Sequence, residues 1–124
     1  MKSDPAEYKE IIKKLLEKTR QKKVEWEQAF SGSFQCTLVA ADTDSEIDSF
    51  TFTVSANSET ELHSLRMSDQ RHNTIFVATS NDLPTSPEEE EVSKMVEEIY
   101  DLARRQALKI ERKLVAASTL LDRV

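Results

Sequence analysis

One cysteine, one glycine, three prolines and two histidines in 124 residues exclude a good deal before any motif is sought. With Cys36 alone, no disulfide can form inside the chain, and a four-cysteine zinc site is out of reach. With Gly32 alone, neither the G-x-S-x-G elbow of serine hydrolases nor the glycine-rich loops that cradle phosphates and dinucleotides can be built. His63 and His72 stand nine residues apart, with no cysteine or acid at ligand spacing, and make no zinc pattern. No apolar run approaches the roughly 20 residues of a membrane span, and the opening MKSDPAEYKE has no apolar segment of the secretory kind. A cytoplasmic protein with no membrane partner is therefore expected, and no cofactor is implied.

Positive charge is also scarce where nucleic acid would need it. The formal charge is -6, and the cations that displace counterions from phosphate are outnumbered. Residues 1–28 carry eight basic and six acidic side chains, residues 29–87 two and eight, and residues 88–124 seven and nine. The acidity is concentrated in the middle, and no nucleic-acid partner is expected. The 38% of hydrophobic residues are spaced periodically, which separates this chain from disordered ones of similar polarity. A single domain with one core is expected over residues 1–124.

The first segment has a helix start in Asp4 as cap, Pro5 at the first helical position, and Glu7 placed to reach back. Tyr8, Ile11, Ile12, Leu15, Leu16 and Thr19 then share one face, and RQKK places cations at the negative end of the helix dipole. Val24, Trp26 and Phe30 lie in a connector expected to fold back onto the core, completing a unit over 1–30. Past Gly32 the period changes to two. Phe34, Cys36, Leu38 and Ala40 alternate with Gln35, Thr37 and Val39, as Phe50, Phe52 and Val54 do with Thr51, Thr53 and Ser55, and weaker strand patterns cover 62–67 and 74–79. Four strands over 31–82 predict an antiparallel meander with one buried face.

A second helix start follows the NDLPTSPEEEE linker, with Ser86 as cap, Pro87 inside it and Glu88 to Glu91 across the first turn. Val92, Val96, Ile99, Ala103, Ala107, Ile110, Leu114, Ala117 and Leu121 then step by three or four, with no glycine or proline among them. A continuous helix over 87–123, within the 86–123 segment, would be about 55 Å long, against a radius of gyration of about 14 Å for a compact domain of this size. Either the helix breaks near Leu108 to Ile110, or its distal half protrudes and buries its stripe against another chain. ALKIERKL contains good helix formers and no stop signal, which favours the protruding form and a homodimer. Ile110, Leu114, Ala117 and Leu121 are the candidate interaction residues.

Other candidates have plainer explanations. DTDSEID, residues 42–48, opens like a calcium loop, but position 6 is Ile47 where glycine is needed and position 12 is Thr53 where glutamate is needed. It reads as a polar hairpin connection. Cys36, on an apolar alternating face, reads as a buried inert thiol. Glu88 to Glu91 are accounted for by the helix dipole. Lys13, Lys14, Lys18, Arg20, Lys22 and Lys23, with Arg104 and Arg105, form a cationic strip interleaved with glutamates; it reads as a solvated helix face able to steer an acidic partner.

EYKEIIKKLLEKTRQKKVEWE at the opening, together with IYDLARRQAL near the end, resembles small uncharacterised bacterial proteins that begin with a helix, a Lys-Thr stretch and a tryptophan. The resemblance implies an α-β-α layout in a bacterial cytoplasm and carries over no catalytic residue.

The expectation is an α+β domain: N-terminal helix, four-stranded antiparallel meander, and a long C-terminal helix, both helices on the one apolar face of the sheet. With no convergent catalytic set, a non-enzymatic protein-protein interaction module is the leading function. Two alternatives belong to other classes. One is a small ligand-binding domain or enzyme with a pocket where Trp26, His63, Cys36 and Tyr100 meet. The other is an acidic inhibitor or immunity-like binder of a basic partner.

Overall fold

The computed structural model describes residues 5–30, 32–39, 49–57, 59–80 and 86–124. Helix α1 (Pro5–Arg20) begins at the expected proline; its expected cap, Asp4, lies outside the described residues, as do Ala40 and the whole DTDSEID stretch. Tyr8, Ile12, Leu15, Leu16 and Thr19 are buried, whereas Ile11 at the flank of the stripe is exposed.

The sheet has five strands where four are predicted, in the order β1 (Glu27–Gln28), β2 (Ser33–Val39), β3 (Ser49–Ala56), β4 (His63–Asp69) and β5 (Thr74–Thr79), all antiparallel neighbours. The additional strand is two polar residues long, too short to show an alternation. It folds onto β2 through a turn in which Ala29 N–H donates to Ser33 O at 3.0 Å and Gly32 adopts φ 77, a conformation open to glycine at no steric cost. Phe30 occupies this turn and is 87% exposed, so the expectation that it returns to the core is corrected: it lies at the tip of the hairpin.

Register follows the alternation. Phe34, Val54, Leu65 and Ala78 form one row across the sheet, and Cys36, Phe52, Met67 and Phe76 the next. All eight are buried on one face. The other face is lined with hydroxyls that bond across strands, Thr37 to Thr51 at 3.1 Å and Ser55 to Ser64 at 2.9 Å. This one-sided layer is what period-two patterning predicts.

Ser86 caps helix α2 (Pro87–Ala107) as expected, its hydroxyl accepting from Glu89 N–H at 3.2 Å. Val92, Val96, Ile99 and Ala103 are buried, and α2 touches all five strands. Tyr8 of α1 stacks on Phe76, ring centroids 4.5 Å apart, and Tyr100 of α2 meets Phe34 edge-on at 5.8 Å. Helix α2 thus lies along the apolar face, while α1 packs mainly on α2 and reaches the sheet through Tyr8 on Phe76. They are joined to each other by their buried stripes and by the ion pairs Lys9–Glu91 and Arg20–Glu98.

The C-terminal helix is not continuous. Leu108 N–H donates to Arg104 O and Lys109 adopts φ 54, after which helix α3 (Ile110–Asp122) begins. A left-handed residue just past the last turn is a common helix stop, usually supplied by glycine. Here a lysine supplies it, so the sequence carries no local signal for the break. Its cause is tertiary: Ala107 and Leu108 pack against the core, and Arg105 bridges the bend between Asp101 at 3.3 Å and Glu111 at 3.4 Å.

Candidate interaction surface

The break separates a buried helix from an unburied one. No residue of α3 is buried, and α2 is the one element that it touches substantially among the described residues. Ile110 at the bend is half-buried. Leu114 is 60% exposed, Leu121 72%, and Ala117 between them is exposed as well. Spacings of four, three and four bring these residues onto one side of the helix. In place of a continuous rod the structure has a bent pair of helices, α2 and α3, and the same stripe is unburied. Val115, Leu120 and Val124 are exposed too; Val115 and Leu120 fall off the three-four spacing of the candidate set, whereas Val124 lies one such step beyond its last member. Val124 would have been found by continuing that spacing one step.

The end of α2 from which α3 departs is held by a polar clamp. The side-chain oxygen of Gln106 accepts from Trp26 N–H at 2.6 Å, and its amide nitrogen donates to Val24 O at 3.2 Å. The Trp26 indole N–H donates to the Thr19 hydroxyl at 3.2 Å, and that hydroxyl donates to Leu15 O at 2.8 Å. One chain of bonds therefore runs from α1 through the connector to the last turn of α2. Trp26 serves this clamp and the core.

The four residues proposed for a pocket are distributed in two places. His63 and Tyr100 meet, ring centroids 4.6 Å apart. Among the described residues, His63 Nδ1 is buried without a hydrogen-bond partner. Trp26 and Cys36 are both buried at the β1–β2 side, where pairing of Glu27 with Gln35 aligns them. Burial pushes the Cys36 thiol up to about 12, against a smaller opposing main-chain contact from Phe52, so its thiolate is scarce near neutral pH. Among the described residues no group of three His, Cys, Asp or Glu side chains could hold a metal ion, and no helix is long and apolar enough to cross a membrane.

The cationic strip is partly neutralised. Arg20 bonds Glu98 through two nitrogens, at 2.6 and 2.7 Å, and Arg105 pairs with Asp101 and Glu111. Beside them a hollow of about 270 Å³ lies at the bend, lined among others by Thr19, Lys22, Gln106 and Arg112. Lys22, like Lys109, is left-handed at a helix C-terminus, where a cation suits the helix dipole.

No family model matches this chain, and neither a curated protein nor a solved structure matches it.

Proposed function

We propose that the protein is a non-enzymatic protein-protein interaction module that associates with a second copy of itself through α3. One observation carries this reading: a 13-residue amphipathic helix holds Leu114, Ala117 and Leu121 on one side and buries none of its residues. Contiguous apolar surface of this kind marks association in soluble proteins. Because α3 is about 20 Å long, its pairing covers less than the roughly 800 Å² per partner of a standard interface, and the dimer dissociates on dilution.

Light scattering across a concentration series tests this. Mass should rise above one chain as concentration increases, and Leu114→Glu with Leu121→Glu should abolish the α3 contribution. Both residues lie outside the core, so circular dichroism and the melting midpoint should stay unchanged. A wild-type protein that scatters as one chain at every concentration would refute the reading.

A further inference from the structure

Positive charge gathers around the hollow of about 270 Å³ at the bend between α2 and α3. Arg20, Lys22, Arg105, Lys109 and Arg112 line it, five cations against one acid, Glu111, among the described residues, in a chain whose formal charge is -6. Separate segments supply them: the end of α1 and the residues after it, the last turn of α2, and the bend with the first turn of α3. Two of the five are already matched. Arg20 is held by Glu98, and Arg105 by Asp101 and Glu111. Lys22, Lys109 and Arg112 are exposed and have no ion-pair partner among the described residues.

The fold alone does not account for this convergence. A sphere of that volume is about 8 Å across, comparable to the Debye length at physiological salt, so the charges around it are not screened from one another. Lys22 and Lys109 both stand in the left-handed conformation, φ 58 and φ 54, which glycine adopts past a helix end without the steric cost that lysine carries. The dipoles of α1 and α2 favour a cation at each of those places. Arg112 has no such reason: it lies in the first turn of α3, where the dipole opposes positive charge. The uncharged polar side chains of the hollow, Thr19 and Gln106, are engaged in the clamp. What the hollow holds out to a ligand is therefore mainly ammonium and guanidinium donors.

We infer that this hollow binds a small, multiply charged oxyanion of the phosphate class, of the size of a diphosphate group. Three unmatched cations fit an anion of two or three charges, whereas a monocarboxylate leaves two of them unmatched. The planar fork of Arg112 suits two oxygens of one phosphate, and Lys22 and Lys109 add point charges. A long polyanion such as nucleic acid fits poorly, because it runs out of the hollow onto a chain of net negative charge. A bound diphosphate joins the residue after α1 to the bend and the first turn of α3. The site does not rest on the α3 reading, since neither Leu114, Ala117 nor Leu121 lines the hollow.

Titration calorimetry on the full chain at low salt tests this. Inorganic pyrophosphate should bind at one site with a dissociation constant of about 1 mM or tighter, and orthophosphate about fivefold more weakly. Amide resonances of Lys22 and of residues 109 to 112 should move most. Lys22→Gly and Lys109→Gly keep the left-handed backbone while each removes one charge, and Arg112→Gln changes an exposed side chain. Circular dichroism should therefore stay unchanged while each variant weakens pyrophosphate by about fivefold. Arg104→Gln removes the same charge from a residue that does not line the hollow and should leave the affinity as it is. A nucleoside diphosphate run beside pyrophosphate identifies the source: tighter binding assigns an ester, weaker binding a free ion, and either sustains the site. No binding of pyrophosphate up to about 10 mM would overturn the inference. So would equal losses in Arg104→Gln and Arg112→Gln, or a single-stranded oligonucleotide binding more tightly than pyrophosphate.

Discussion

Replacing Gln106 by leucine should weaken the fold by about 2–3 kcal/mol while leaving its volume nearly filled. The substitution removes an acceptor 2.6 Å from Trp26 N–H and a donor 3.2 Å from Val24 O, in a part-buried setting. A main-chain group stranded in a dry site costs about 1–3 kcal/mol. Two groups are stranded here, and partial access of water to the connector returns some of that cost. For a chain of this length the loss lowers the melting midpoint by roughly 8–12 °C. In urea, the midpoint should move and the slope should not, because the surface exposed on unfolding is the same. Trp26 is the only tryptophan, so its emission reports the clamp directly and should shift to the red as water reaches the indole. A loss under about 0.5 kcal/mol with emission unmoved would refute the claim that Gln106 holds the connector.

Two more consequences concern titratable groups. Because burial holds the Cys36 thiol up at about 12, a thiol reagent at pH 8 should modify the folded protein slower, by on the order of a hundredfold or more, than the urea-unfolded chain; equal rates would contradict the burial. The Arg20 guanidinium holds the Glu98 carboxyl below its ordinary value of 4.5. A carboxyl depressed on folding stabilises the protein above its unfolded value and loses that contribution as the pH falls through the folded one. Glu98→Gln should therefore flatten the fall in stability below about pH 4.5, and an acid limb as steep as that of wild type would show that the pair contributes nothing.

Much of this fold could be read from periodicity because its elements obey local rules. The helix starts at Pro5 and Ser86, the strands around Phe34, Phe52 and Phe76, and the single buried face all follow from caps and alternation. What escaped detection depends on contacts between distant residues. β1 is strand because Glu27 and Gln28 lie beside Gln35 and Phe34, not through any preference of their own. Phe30 is apolar but sits on a turn whose geometry points it outward. The α3 stripe was legible, since spacing alone defines a helical face. The strand β5 is legible in TIFVAT, but the extra residue Ile75, which sets two residues of β5 against one of β4, has no local signal.

The bend at Lys109 shows why surface, more than interior, is where function should be sought. A non-glycine residue in the left-handed region costs about 1 kcal/mol or more, and the residues on either side are good helix formers that would continue straight at no penalty. The cost is offset by Ala107 and Leu108 against the core and by Arg105 between Asp101 and Glu111. None of those contacts involves Leu114, Ala117 or Leu121. The monomer thus spends its packing on aiming α3 and gains nothing from the apolar character of α3 itself. Polar side chains along the stripe would serve the isolated fold equally well, so its leucines are what the proposed association through α3 requires and the fold alone does not.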